Sequence, residues 1–257
     1  LVILSGPARY NAAMDLKTAL KQLEAAGSEP TRKTYARHGV TGPMFGVSFA
    51  TLGKLKKTIK TDHALARQLW GTGNHDARIL ATMIADPSIM TEAELETWVG
   101  DLDNYPITDA FSKMAAQSPF ARKKMQQWTR KPDEWMSTAG WDLLGLLAMD
   151  KTQPDDLLDS YIKRIEAEIH DAPNRTRHAM NGALIGIGTR GGSLTQKAVA
   201  AAKRIGTVQV DHGDTDCHTP DAATYISKVL QHREGKSGKT GGAKKTAKKT
   251  RRVAARV

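Results

Sequence analysis

An all-α fold is the reading that three features of the chain support. Apolar residues recur at helical spacing through most of its length, and helix-capping residues stand just ahead of those runs. The valine-rich alternation and paired turns that mark sheets are missing. Hydrophobic residues make up 40% of the 257, enough for a sizeable core, and an aromatic share of only 5% beside abundant alanine suits closely packed helices.

In order along the chain, Ala8 to Ala26 carries Leu16, Leu20 and Leu23 at helical spacing and meets Gly27, a helix-ending residue. Pro30 opens a short helix through Ala36. Gly39 to Val47, with three glycines and Pro43, reads as a loop. Ser48 caps Phe49 to Ile59, and Asp62 caps a helix that ends near Trp70. Asn74 to Ala85 follows, with Ile79, Met83 and Ile84 on one side. Thr91 and Glu94 form a capping box for Glu92 to Val99. Further helices fit Ile107 to Ala116, Phe120 to Thr129, Pro132 to Met149 and Pro154 to His170. Asn174 to Ile187, Leu194 to Ile205 and Pro220 to Gln231 complete the series, the last capped by Thr219 with Pro220 in its first position. Paired helices of this size point to a HEAT-like or armadillo-type α-solenoid of antiparallel pairs over residues 1–232, with a compact helical bundle as the alternative.

Charge is concentrated at one end. Of the net +11, residues Arg233 to Val257 supply ten Lys or Arg against one Glu, while the other 232 residues carry 28 basic and 26 acidic side chains. Residues 233–257 hold no aromatic and are expected to form a disordered Lys/Arg-rich tail. In it Lys244, Lys245, Lys248, Lys249, Arg251 and Arg252 are candidates for salt-sensitive contacts with DNA phosphates. No apolar run approaches the ~20 residues of a membrane span. Leu1 to Leu4 is too short for the apolar part of a signal peptide. A single cysteine, Cys217, allows no internal disulfide and fits a reducing compartment. The expected setting is therefore cytoplasmic, in association with the nucleoid. His212, Cys217 and His218 match no zinc spacing, and Gly186 to Gly192 follows no strand, so neither a metal nor a dinucleotide is expected.

Several segments, in order, resemble the AlkD-like DNA alkylation repair family. Met44-Phe45-Gly46-Val47-Ser48 with Leu52 and Leu55 resembles its early entry into a helix. Leu69-Trp70 followed by Asn74-His75-Asp76-Ala77-Arg78 resembles its next conserved stretch, and Asp101 to Lys113 stands where the family carries its functional aspartate. Trp135 to Leu147 and Arg177 to Asn181 resemble later repeats; the likeness runs from about Arg37 to Arg190 and weakly to Leu230. The resemblance implies a HEAT-like protein that grips double-stranded DNA as a monomer, without a cofactor, and hydrolyses the N-glycosidic bond of cationic alkylated purines. Such a base is already a good leaving group, so one carboxylate that stabilises the sugar cation and orients water is sufficient.

On that resemblance Asp109 is the catalytic candidate and Tyr105, one helical turn before it, falls where relatives carry a sugar-contacting tryptophan. Asp103 is a fallback carboxylate that otherwise reads as a helix cap. Candidates for DNA contact are Arg175, Arg177 and His178 at a helix start, Arg190 beyond its far end, and the run Arg122 to Lys124. The chain also departs from the family pattern. Thr138, in Trp135-Met136-Ser137-Thr138, stands where relatives carry a phosphate-binding arginine, and Gly182 where they carry a later tryptophan; Trp141 and His178 are the candidate substitutes. These departures bear on base excision more than on DNA binding. They keep open the alternative of a non-enzymatic HEAT-like DNA-binding protein with a basic tail.

Overall fold

The computed structural model describes residues 14–234, and every regular element among them is a helix. In order these are α1 (Leu16–Ala26), α2 (Glu29–Arg37), α3 (Phe49–Ile59), α4 (His63–Trp70), α5 (His75–Ile84), α6 (Glu92–Gly100), α7 (Tyr105–Ala115), α8 (Ala121–Trp128), α9 (Glu134–Leu147), α10 (Asp155–Glu168), α11 (Asn174–Gly188), α12 (Gly192–Ile205) and α13 (222–234). The described residues form two compact units, one of residues 14–120 with 213–215 and one of residues 121–212 with 216–234. The tail candidates from Lys244 to Arg252 lie outside the described residues.

Local chemistry sets most helix starts. Asp15, Ser48, Asp62, Asn74, Asn104 and Asp133 each accept the backbone N–H three residues on, which satisfies a donor the helix cannot pair internally. Thr91 and Glu94 make the expected capping box. Three starts differ from the sequence reading. Met14 and Asp15 are non-helical, so α1 begins at Leu16 rather than at Ala8. Asn104, not Asp103, caps α7, which brings Tyr105 into its first turn; the Asn104 amide also donates to Asp103 at 2.6 Å. Asp221 rather than Thr219 receives the N–H of Thr224, at 2.8 Å, at the start of α13.

In the first unit the indoles of Trp70 and Trp98 stack at 4.1 Å and 3°. Arg78 lies 5.3 Å over Trp70 and donates to the carbonyls of Trp70 and Asp101 at 3.3 and 3.1 Å. The Trp70 Nε1–H donates to the Asp101 carboxylate at 2.8 Å, so α4, α5 and the end of α6 are tied at one point. In the second unit α9 and α11 pack closely because glycines face each other. A Cβ on Gly186 would stand 2.7 Å from the Gly145 carbonyl oxygen, and one on Gly140 would stand 2.4 Å from the Thr129 nitrogen. Trp141, 1% exposed, lies between Tyr161, 5.7 Å away edge-on, and the guanidinium of Arg164 at 5.0 Å.

Candidate functional site

In the first unit α2, α3, α5 and α7 border a cleft of about 720 Å³. Tyr105 and Asp109, one turn apart on α7, both line it, Asp109 exposed and Tyr105 half-buried. The His38 ring lies 5.4 Å from that of Tyr105, and its Nδ1 donates to the Thr34 carbonyl at 2.9 Å. Tyr35 and the half-exposed Phe49 add aromatic surface, and Lys56 and Lys113 add positive charge. The cleft thus offers ring faces and edges, one carboxylate and two ammonium groups, a set that suits a planar base or sugar edge beside a phosphate.

Tyr35 of the cleft is tied to a loop that is held by a group the sequence reading did not single out. The carboxylate of Asp76, fully buried on α5, accepts the backbone N–H groups of Phe45, Gly46 and Val47 at 2.6, 3.0 and 2.7 Å. Gly46 has φ +80°, and a Cβ there would stand 2.5 Å from the Ser28 carbonyl oxygen, so only glycine fits. The Tyr35 hydroxyl donates to the Val47 carbonyl at 2.7 Å, and its ring meets the edge of His75 at 4.9 Å. Burial, reinforced by the Asp76 charge, pushes the Tyr35 hydroxyl up to about 12, whereas burial lowers the His75 imidazole. The two motifs read from the sequence, around Gly46 and around Asp76, are therefore two halves of one hydrogen-bonded device.

In the second unit the expected DNA-contacting residues occupy quite different settings. His178 and His212 approach edge to face at 5.3 Å and both bond the Thr219 hydroxyl at 3.0 Å. Arg175 Nη1 lies 3.3 Å from His212 Nδ1. A guanidinium only donates, so His212 Nδ1 accepts from Arg175 and the Nε2–H of His212 donates to Thr219. The His212 ring is thereby neutral. Burial first, then the Arg175 charge, lowers His178 to about 4 and depresses His212 as well. Arg177, on the same helix, is half-buried.

Several of the expected DNA contacts are engaged within the protein. The start of α11 already receives an acid, because Glu134 accepts the Arg175 N–H at 2.6 Å, which works against a phosphate there. Thr138 is 3% exposed and meets the Thr176 hydroxyl at 3.4 Å between α9 and α11, away from solvent. Trp141 is 1% exposed and lies at the floor of a depression of about 330 Å³ that Arg130, Lys131 and Arg164 also line. Arg190 is spent on its own surroundings: it donates to the carbonyls of Ala148, Asp150 and Gln153 at 2.8, 2.6 and 2.8 Å and pairs with Asp155 at 3.1 Å. Of the run Arg122 to Lys124, Lys124 is buried and reaches Gln127 at 3.3 Å. Gly182 is exposed, and a Cβ there would meet nothing within 4 Å. Among the described residues no group of His, Cys, Asp and Glu is arranged to hold a metal, and no helix is long and apolar enough to cross a membrane.

Short helices packed on their near neighbours in the chain, such as α4 on α5, α5 on α7, α8 on α9 and α9 on α11, define a helical-repeat protein whose first unit holds a polar–aromatic cleft. The family model described as DNA alkylation repair enzyme matches residues 19–226, and the chain belongs to that family. A solved structure described as a new family of proteins related to the HEAT-like repeat DNA glycosylases, with affinity for branched DNA structures, matches at TM-score 0.78 and 31% identity, covering 85% of this chain and 95% of that one. The fold is accordingly all-α and HEAT-like. The uncharacterized proteins Lin0241 of Listeria innocua and Lmo0209 of Listeria monocytogenes are each 26% identical over 214 residues, which is 81% of this chain and 94% of theirs.

Proposed function

We propose that this protein is a DNA-repair protein that binds branched or otherwise distorted double-stranded DNA and holds it without excising a base. The observation that carries this reading is Thr138, enclosed between α9 and α11 where the resemblance places a phosphate-gripping arginine. A buried threonine has neither the charge nor the forked geometry to hold a phosphate beside a reacting sugar. Gly182 offers no ring, Trp141 is 1% exposed, and the 31% identical structure is described by its affinity for branched DNA. The cleft of Tyr105 and Asp109 then serves as a contact for an unstacked base or a strand end, and the basic tail adds phosphate contacts.

Base excision is the second reading, favoured by one specific observation: Tyr105 and Asp109 line the same cleft. In that case Asp109 stabilises the oxocarbenium-like sugar and orients water, and Tyr105 supports the cationic base. The test measures binding of a four-way junction and of a linear duplex of equal length by fluorescence anisotropy, while mass spectrometry follows free bases from methylated duplex. The expected outcome is tighter binding of the junction, by about tenfold (about 1.4 kcal/mol), with no base released. Release of a methylpurine that disappears in Asp109→Asn would overturn the proposal and establish the second reading.

A further inference from the structure

Helix α3 ends on a residue that its backbone does not suit. Lys60 closes the helix with φ 67° and ψ −137°, its N–H bonded to the Lys56 carbonyl at 2.7 Å. Among the described residues it is the one non-glycine with a positive φ. Gly206 closes α12 in the same way, with φ 69° and ψ −145° and its N–H on the Ala202 carbonyl. Glycine takes this conformation freely and a side chain strains it, so the chain keeps a lysine where glycine would hold the fold better. The surrounding stretch supplies a reason. From Pro30 to Thr61 there are seven Lys or Arg and no Asp or Glu, whereas the other residues before Arg233 carry 21 basic and 26 acidic side chains. Lys54, Lys57 and Lys60, three residues apart, follow one exposed side of α3. None of their ammonium groups has a hydrogen bond or ion pair among the described residues. The acids nearest in chain and packing are engaged: Asp62 caps α4, and Asp76 of α5, a helix packed on α3, is buried and holds the 45–47 loop. Gly53 lies beside Lys54 and Lys57, and a Cβ on it would meet nothing within 4 Å, so this side is open to an approaching chain. Lys56, on the adjoining side, lines the cleft with Phe49 and Asp109 and belongs to that mixed setting.

We propose that the side of α3 formed by Lys54, Lys57 and Lys60 is a phosphate-binding track, along which a DNA strand lies as its base or end enters the neighbouring cleft. The ammonium groups neutralise phosphates and read no sequence, because backbone contacts position DNA and do not discriminate bases. The strained backbone at Lys60 is kept for the charge it carries. The track rests on the DNA-binding reading above, and the test separates the two. The full chain, a Lys60→Gly variant and a Lys54→Gln, Lys57→Gln variant are titrated with the same junction and linear duplex across a series of salt concentrations. Thermal melts by circular dichroism are recorded for each. Lys60→Gly moves the two readouts in opposite senses. Its melting temperature rises by about 2–4 °C as the strain is relieved, while its log–log salt slope falls in magnitude by about 1. A lysine held only for structure would not produce that pair of changes. The glutamine variant loses about 2 from the slope and binds more weakly at low salt, and Lys54→Arg, Lys57→Arg keeps the wild-type slope. Unchanged slopes in the folded Lys60→Gly and glutamine variants overturn the track and leave the DNA-binding function standing. Reduced slopes on both DNAs with no preference for the junction uphold the track and remove the branched-DNA reading. No binding of either DNA by the wild-type chain overturns both.

Discussion

The Oδ1 of Asp76 accepts the backbone N–H of Val47 at 2.7 Å across a separation of 29 residues. Its other oxygen takes the N–H groups of Phe45 and Gly46, so one buried carboxylate satisfies three donors of the loop whose Val47 carbonyl accepts from Tyr35 of the cleft. Asp76→Ala leaves these donors without that acceptor, and each buried unsatisfied amide costs about 1–3 kcal/mol. The expected loss in urea unfolding is about 3–5 kcal/mol, and Asp76→Asn, which keeps one acceptor oxygen, loses about half as much. A cost below 1 kcal/mol for the alanine variant would show that the loop does not depend on the carboxylate.

Two glycines one turn apart on α11 should respond oppositely to the same substitution. Gly182 has open space at its Cβ position, so Gly182→Ala removes backbone freedom from the unfolded chain and stabilises the protein by about 0.5–1 kcal/mol. Gly186 faces the Gly145 backbone, and its Cβ would meet oxygen at 2.7 Å and Cα at 3.0 Å. Gly186→Ala must push α9 from α11 and costs about 1–3 kcal/mol. Thermal melts of the two single variants check the contrast, and equal shifts would contradict the close approach of these helices.

What the sequence made legible was chemistry within one turn. Ser48, Asp62 and the Thr91–Glu94 pair cap helices as read, because a capping side chain and its N–H lie three residues apart. The same rule chose wrongly between neighbouring polar residues: Asp103 and Thr219 read as caps where Asn104 and Asp221 hold the position. Packing made the choice, drawing Thr219 between two imidazoles and leaving the cap to Asp221. Tyr105 and Asp109 fell on one face as their spacing required. The roles of Asp76, Arg190 and Thr138 were not legible, since each depends on groups about 30–40 residues away in the chain.

Acid should loosen the second unit through His178. Its folded pKa of about 4 lies below the ordinary 6.5, through burial and then the Arg175 charge, so between these values the unfolded chain binds the extra proton. Stability contributed by the neutral ring is complete above pH 6.5 and is lost as pH falls toward 4. Allowing for partial exposure, the change amounts to about 2 kcal/mol. His178→Gln, which still offers Thr219 an acceptor, should flatten the stability profile across that window in denaturant titrations. A wild-type slope in the variant would assign the pH dependence to another group.

The departures at Thr138 and Gly182 differ in how reversible they are. Gly182→Trp places a ring on an exposed helix face with no atom within 4 Å of the new Cβ, so the variant should fold with a stability within about 1 kcal/mol of wild type. Thr138→Arg forces a charged side chain into a site that is 3% exposed, where Thr138 meets Thr176 between α9 and α11. An unpaired buried charge of that kind costs several kcal/mol, and the variant should unfold at markedly lower denaturant. Substitution is therefore expected to be tolerated at Gly182 and resisted at Thr138. If Thr138→Arg instead melts like wild type and tightens binding to linear duplex, the α9–α11 seam can open to a phosphate, and the base-excision reading regains its missing cation.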